Sequence, residues 1–193
     1  MKLIAGKGQA STSHAVWPFD IEPRKIPPFV VVRGVFTPRE CVKIIDETAV
    51  RQAPRMLQSF YGGSIGRSLR RVRLDLFDHQ WIARKLKKAA IKANSVYGFG
   101  ISGLAATFDV LEYRRGDYND RHHDKEPAKI AMSVALNSDY GGGRLLVEGG
   151  YDLPRVGVGD CVAMPLRTSH EVERVTSGSR IVLIAWCVGP DFF

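Results

Sequence analysis

Tyr113-Arg-Arg-Gly-Asp-Tyr-Asn-Asp-Arg-His-His-Asp124 is the stretch around which the rest of the chain is read. It sets His122, His123 and Asp124 side by side. The run before it, Thr107 to Tyr113, is rich in β-formers and predicts a strand. Phe108, Val110 and Glu112 would share one face of that strand, and Asp109, Leu111 and Tyr113 the other. Neither face is purely apolar, so the pattern leaves the register open. In extended backbone, residues two apart point the same way. His122 and Asp124 then face one side and His123 the other. One imidazole and one carboxylate supply two metal donors and need a third from elsewhere. By itself a His-x-Asp pair is a weak signal, and an exposed polar turn is the better account of it.

The third donor has few sources. The chain holds five histidines: His14, His79, His122, His123 and His170. His14 falls in an irregular arm. His79 stands at a helix start, where a solvated role is expected. His170 opens the strand His170-Glu-Val-Glu-Arg-Val175 after a turn-rich segment. A jelly roll brings such distant strands together. Two histidines and one carboxylate on one face of an iron would leave positions open for substrate and oxygen.

The second half of the chain reads as short strands joined by Gly, Pro, Asn and Asp turns, which suggests a sandwich or barrel. The strands are expected at 106–113, 129–137, 144–148, 160–164, 170–175 and 180–188. The first half supplies support. Phe29 to Val32 predicts a first strand. Thr37-Pro-Arg-Glu40 is a helix start, with Thr37 as cap, Pro38 at the first helical position and Glu40 able to close a capping box. Val42, Ile45 and Ala49 are expected on the buried face of that helix, beside Cys41 and Ile44. A loop is expected at 62–66. A strand from Leu69 to Leu76 would carry one basic side. A second helix, capped by Asp78, should run to about Ala93 with an apolar stripe of Trp81, Ile82, Leu86, Ala89, Ala90 and Ala93. The expected fold is therefore mainly β with supporting helices (α+β), a double-stranded β-helix preceded by two N-terminal helices. It forms one domain, with 1–25 an irregular arm anchored by Trp17, 26–104 the first strand and helical support, and 105–188 the jelly-roll core.

Composition narrows the class. The chain has 193 residues, 45% of them hydrophobic and 25% charged, ordinary for a soluble globular domain with a sizeable core. Three cysteines, Cys41, Cys161 and Cys187, show no CxxC spacing, which argues for a reducing compartment. The first residues lack the apolar run of a signal peptide, and no segment has the length of a membrane span. A cytoplasmic location follows as the expectation. The formal net charge is +8, with bases grouped at Arg67, Arg70, Arg71 and Arg73 and again at Arg84, Lys85, Lys87 and Lys88. No aromatic residues interleave them as a nucleic-acid stacking platform requires, so they read as a solvated basic face. Arg180 is different. It begins the strand Arg180-Ile-Val-Leu-Ile-Ala-Trp186, apolar on both faces, so its guanidinium borders the core and needs an anionic partner. Taken alone, a salt bridge to Asp or Glu on a neighbouring strand is a better account of it than a bound carboxylate.

Four ordered blocks together resemble the prolyl-4-hydroxylase-like family of Fe(II)- and 2-oxoglutarate-dependent dioxygenases. Tyr113-Arg-Arg-Gly116 followed by His122-His-Asp124 resembles that family's Tyr-x-x-Gly run leading into His-x-Asp. Asp139-Tyr-Gly-Gly-Gly-Arg-Leu145 is similar to its Tyr-x-Gly-Gly-x-Leu segment. Val158-Gly-Asp160, Pro165 and His170-Glu-Val172 resemble its Gly-Asp, Pro, His-x-Val block. Thr176-Ser-Gly-Ser-Arg180 resembles its Thr-x-Gly-x-Arg. The match covers roughly residues 105 to 188, with a weaker echo in Val35–Ile45. One departure is Asn119, where relatives often carry an aromatic residue; here Tyr118 stands one place early.

The resemblance implies iron ligation by His122, Asp124 and His170, and a 2-oxoglutarate contact from Arg180 with Tyr113 as a second. His123 matches the variable middle position and should point away from the metal. The Gly141–Gly143 run reads as a turn, since no helix start follows it for a phosphate cradle. The implied reaction consumes molecular oxygen and 2-oxoglutarate and hydroxylates an unactivated C–H bond of an amino acid, an amino-acid-derived metabolite or a peptidyl side chain. Asp124 favours hydroxylation, because halogenating relatives lack that carboxylate. The expected partner is a small molecule or peptide, with neither membrane nor nucleic acid. Two other classes stay open: a cupin-like metal enzyme that does not use 2-oxoglutarate, and a non-catalytic nucleic-acid-binding module. The first has no use for Arg180, and the second predicts steeply salt-dependent binding.

Overall fold

The computed structural model describes residues 26–59, 66–124, 128–148 and 153–190. The chain runs β1 (Val30–Val32), α1 (Pro38–Thr48), β2 (Arg55–Ser59), β3 (Gly66–Asp75), α2 (Gln80–Tyr97), β4 (Gly103–Leu104), β5 (Thr107–Arg114), β6 (Tyr118–His122), β7 (Ala128–Ala135), β8 (Tyr140–Gly142), β9 (Leu145–Val147), β10 (Cys161–Pro165), β11 (His170–Val172) and β12 (Val175–Val188). Both helices come before β5–β12, the strands of residues 105–188. They are interleaved with β1, β2 and β3, and every strand pairing is antiparallel.

The strands form one curled sheet in the order β1-β10-β7-β12-β5-β3-β6-β11-β9. Its broad part, β1 to β3, explains why β12 is apolar on both faces. Ile181, Leu183, Ala185 and Cys187 join Phe108 and Val110 of β5 in the main core, which also takes the buried stripes of α1 and α2. The alternate residues Arg180, Val182, Ile184 and Trp186 line a large cavity on the opposite face. The β5 register left open by its pattern is settled in the same way. Phe108 and Val110 go to the helix side, and Asp109, Leu111 and Tyr113 go to the cavity.

The start of α1 follows its sequence. Thr37 Oγ1 accepts from the Glu40 N–H and the Glu40 carboxylate accepts from the Thr37 N–H, a closed capping box. The buried face is Cys41, Ile44, Ile45 and Thr48. Val42 points outward at 56% exposure, and Ala49 is not on that face but ends the helix in a left-handed conformation. In α2 the cap position is His79, not Asp78, and no side chain caps it. The helix continues past Ala93 to Tyr97, whose hydroxyl donates to the Ala163 carbonyl at 2.7 Å and ties α2 to β10. His79 is half-buried and packs edge-on against Phe108. Trp81 is also half-buried, edge-on to Phe36 with Lys43 over its ring. All three cysteines are buried and free, and burial pushes the Cys187 thiol up to about 12. His14, Trp17 and most of the 62–66 loop lie outside the described residues. Among the described residues, no helix is long and apolar enough to cross a membrane.

Candidate metal and cosubstrate site

The site lies where the sheet curls over. β3 pairs with β6 at Arg67↔Asn119 and Ser68↔Tyr118, and β6 pairs with β11. That last register sets His170 directly opposite His122, with ring centroids 4.3 Å apart. Asp124 follows two residues after His122. One ligand atom from each of His122, Asp124 and His170 lies within 4.8 Å of the others. His123 is exposed, stands outside this cluster and borders the cavity.

Both imidazoles are held by backbone carbonyls. His122 Nδ1 lies 2.7 Å from the Asp120 carbonyl, and His170 Nδ1 lies 3.0 Å from the Thr168 carbonyl. A carbonyl can only accept, so each Nδ1 is the donor, and Nε2 is the nitrogen left to each ring for a metal. This is the second layer of contacts that orients histidine ligands in metal sites. Burial, and then the neighbouring His170 ring, lower the pKa of His122. Two imidazoles with one carboxylate make a donor set that suits Fe(II) and leaves coordination positions free.

Arg180 stands across β12 from Tyr113 of β5 and is 6% exposed. Its guanidinium lies 5.5 Å from the Tyr113 ring centre. Among the described residues no carboxylate is within 4.0 Å of it. The neighbouring Asp or Glu that a structural role would need is absent there. Gly143 lets the arginine stem pass, because a Cβ at that position would come within 3.3 Å of Arg180 Cδ and 2.8 Å of Val175 Cγ2. Its backbone is also left-handed, at φ +58°. The Gly141–Gly143 run is not the turn expected of it: Gly141 and Gly142 belong to β8, which pairs with the start of β12. Tyr113 is fully buried, which raises its pKa, while Arg180 pulls the other way.

These side chains open onto a cavity of about 1100 Å³. Its lining corrects one expectation. Arg67, Arg71 and Arg73 of β3 face this cavity and are not a purely solvated face. The signal was in the sequence, because all three share the odd-numbered face with Leu69. The displaced aromatic also finds a place. Tyr118 packs under the Arg174 guanidinium, 3.9 Å from ring centre, while Asn119 takes the cavity side, with its Nδ2 3.4 Å from His122 Nε2.

No protein-family model matches the chain. In sequence it is 32% identical over 90 residues to a PKHD-type hydroxylase of Idiomarina loihiensis, covering 42% of this chain and 41% of that protein. It is 38% identical over 112 residues to another from Picosynechococcus, covering 51% and 50%. The chain thus spans half or less of the length of these relatives. In structure it is similar to a Pseudomonas putida prolyl-4-hydroxylase, with TM-score 0.63 and 16% identity over 85% of this chain and 94% of that one. A viral collagen prolyl hydroxylase from Paramecium Bursaria Chlorella virus-1, solved with 2-oxoglutarate, gives TM-score 0.64 and 15% identity over 84% and 97%. The α-ketoglutarate-dependent epimerase SnoN gives TM-score 0.61 and 18% identity over 84% and 78%.

Proposed function

We propose, for a chain whose sequence relatives are PKHD-type hydroxylases and whose fold is that of the prolyl-4-hydroxylase-like 2-oxoglutarate–Fe(II) oxygenases, an Fe(II)- and 2-oxoglutarate-dependent dioxygenase that hydroxylates an unactivated C–H bond. The curled sheet is then the double-stranded β-helix of that class. The observation that carries the reading is the pairing of two features on one cavity. One is a His-Asp-His cluster whose two imidazoles have their Nδ1 atoms engaged by backbone carbonyls. The other is a buried guanidinium with no described carboxylate partner.

His122, Asp124 and His170 would hold the iron, which when bound supplies the oxidising chemistry on oxygen. Arg180 would bind the far carboxylate of 2-oxoglutarate, because a planar guanidinium fork matches a carboxylate bidentately. Tyr113 would flank that carboxylate. The Asp120 and Thr168 carbonyls hold the two imidazoles in the tautomer a metal needs. The apolar wall of Val182, Ile184 and Leu111 limits water beside the reacting centre. The substrate is an amino acid, a metabolite derived from one, or a peptidyl side chain. The epimerase among the structural neighbours shows that this fold serves other reactions, so the hydroxylation outcome rests on the sequence relatives and on Asp124.

The deciding experiment mixes metal-free protein anaerobically with Fe(II) and 2-oxoglutarate and records the visible charge-transfer band of the chelated cosubstrate. The band should appear and should be lost in His170→Ala. Fe(II) binding without a band would remove the 2-oxoglutarate assignment and turn attention to a metal enzyme of cupin type.

A further inference from the structure

The oxygenase reading gives no part to Asn119, yet the fold takes trouble to aim this side chain at the site. Residues three apart in a regular strand point to opposite faces of a sheet. Asn119 and His122 stand three apart in β6, and both line the cavity. The register of β6 on β11 is the reason. His122 pairs with His170 and Asn119 with Val172, so three steps along β6 are matched by two along β11. The extra residue is a β-bulge, a device by which a strand re-aims its side chains. Here it turns the Asn119 amide to the same side as the histidine.

The amide then reaches two groups of the site. Its Nδ2 lies 3.4 Å from His122 Nε2, the nitrogen left to that ring once Nδ1 is engaged by the Asp120 carbonyl. The same side chain hydrogen-bonds the Tyr113 hydroxyl. Burial raises the Tyr113 pKa, and Arg180 and then this hydrogen bond oppose the rise. An amide nitrogen carries two N–H donors, so one side chain can serve both neighbours. Tyr113 stands beside Arg180, across β5 and β12, and His122 belongs to the metal cluster. Asn119 thus links the two ends of the space that the oxygenase reading gives to 2-oxoglutarate. A metal on His122 Nε2 takes that nitrogen away as a hydrogen-bond acceptor. The N–H that faced it then needs a new acceptor at the same place.

We infer that Asn119 is a cosubstrate-binding residue, whose amide N–H donates to the keto-acid end of 2-oxoglutarate beside His122 while Arg180 holds the far carboxylate. This rests on the oxygenase reading, which puts iron on His122 and 2-oxoglutarate between it and Arg180.

The test is anaerobic titration of the protein, first with Fe(II), read by calorimetry, and then with 2-oxoglutarate, read by the charge-transfer band. Asn119→Leu keeps the bulk of the side chain and removes its N–H donors. It should weaken 2-oxoglutarate binding about tenfold, the equivalent of one hydrogen bond. It should also move the band maximum, because the chelating end of the cosubstrate loses a donor. Fe(II) affinity in the absence of 2-oxoglutarate should stay close to that of the parent protein. Asn119→Asp keeps the shape of the side chain and serves if the leucine variant does not fold. It should weaken 2-oxoglutarate at least as much, since a carboxylate offers no N–H and repels an anion. Parent-like 2-oxoglutarate affinity in either variant, or an unmoved band, overturns the inference. So does an Asn119→Leu protein whose Fe(II) affinity falls as far as its 2-oxoglutarate affinity, which would make the amide a prop for His122 alone. The parent protein separates the two readings: if it gives no band, the oxygenase reading fails and takes this one with it, whereas a parent band that the variants leave unchanged counts only against Asn119.

Discussion

Arg180 shows what a single residue can be asked to do. It is 6% exposed, and no described carboxylate lies within ion-pair distance, so its charge stays poorly compensated until an anion arrives. Arg180→Ala should weaken 2-oxoglutarate binding by the cost of losing one partner of a buried charge pair, about 2–5 kcal/mol, or roughly 30- to several-thousand-fold in Kd. Fe(II) affinity should stay within about twofold, as equilibrium titration would read. Arg180→Lys should recover only part of the loss, because a lysine keeps the charge but not the fork. Unchanged 2-oxoglutarate affinity in Arg180→Ala would remove the residue from the site. Asp124→Ala should abolish hydroxylated product altogether, read by mass spectrometry once a substrate is in hand. Much at this scale was legible in the sequence. The two-residue spacing of His122 and Asp124 needs only extended backbone to align them. Arg180 announced itself as a charge at the head of an apolar strand. The inward arginines of β3 were legible only in part: they share the odd-numbered face with Leu69, but whether that face meets a polar cavity or solvent is decided by the curl of the sheet.

At the scale of the element, local rules worked where local forces decide. The Thr37–Glu40 capping box is a contact within one turn, and it forms as its sequence requires. Thr37→Ala should cost about 1 kcal/mol, lowering Tm by roughly 2–4 °C for a domain of this size. The charge-transfer band should be unaltered, since α1 packs on the helix side of the sheet, away from the cavity. A drop in Tm accompanied by loss of the band would mean that α1 supports the site more directly than its packing suggests. The buried face of α1 was misread by about one position. Val42 and Ala49 fit a helical stripe, yet the core takes Cys41, Ile44, Ile45 and Thr48. Which side of an amphipathic helix is buried depends on the sheet it meets. The end of α2 escaped for a similar reason. Its last turn carries polar Asn94 and Ser95, but Tyr97 reaches β10 and extends the helix to Gly98. β6 and β2 were not anticipated at all. Tyr-Asn-Asp-Arg-His has little β-character of its own, and β6 exists because β3 and β11 pair with it on either side.

At the scale of the whole molecule, the sheet must be fixed at the point where it curls, or the two histidines would not face each other. Asp117 is placed to do this. It lies in the turn between β5 and β6 at 1% exposure. Its carboxylate accepts from the Ser68 hydroxyl of β3, from Arg55 Nε of β2 at 3.0 Å and from the Arg114 N–H of β5 at 3.0 Å. Burial by itself would raise the Asp117 pKa, but these donors and the Arg55 charge outweigh it and lower the value in the folded state. A carboxyl with a depressed folded pKa stabilises the fold above its unfolded pKa, near 3.9. That stabilisation is lost as pH falls from there through the folded value. Asp160 behaves in the same way, held by Arg33 and by the Gly34 and Gly157 N–H groups despite its burial. The protein should therefore lose stability on acidification below about pH 4, in a denaturation series read by circular dichroism. Asp117→Asn should be less stable at pH 7 by about 2 kcal/mol, the usual value of hydrogen bonds to a charged group. Its acid limb should be shallower than that of the parent protein, because one of the protons taken up on unfolding has been removed. It should also weaken the charge-transfer band at pH 7 if the β5–β6 turn holds His122 opposite His170. An Asp117→Asn protein with the same stability at pH 7 and the same acid limb would mean that the curl is set elsewhere in the sheet, with the Asp160 tie between β1 and β10 the next to remove.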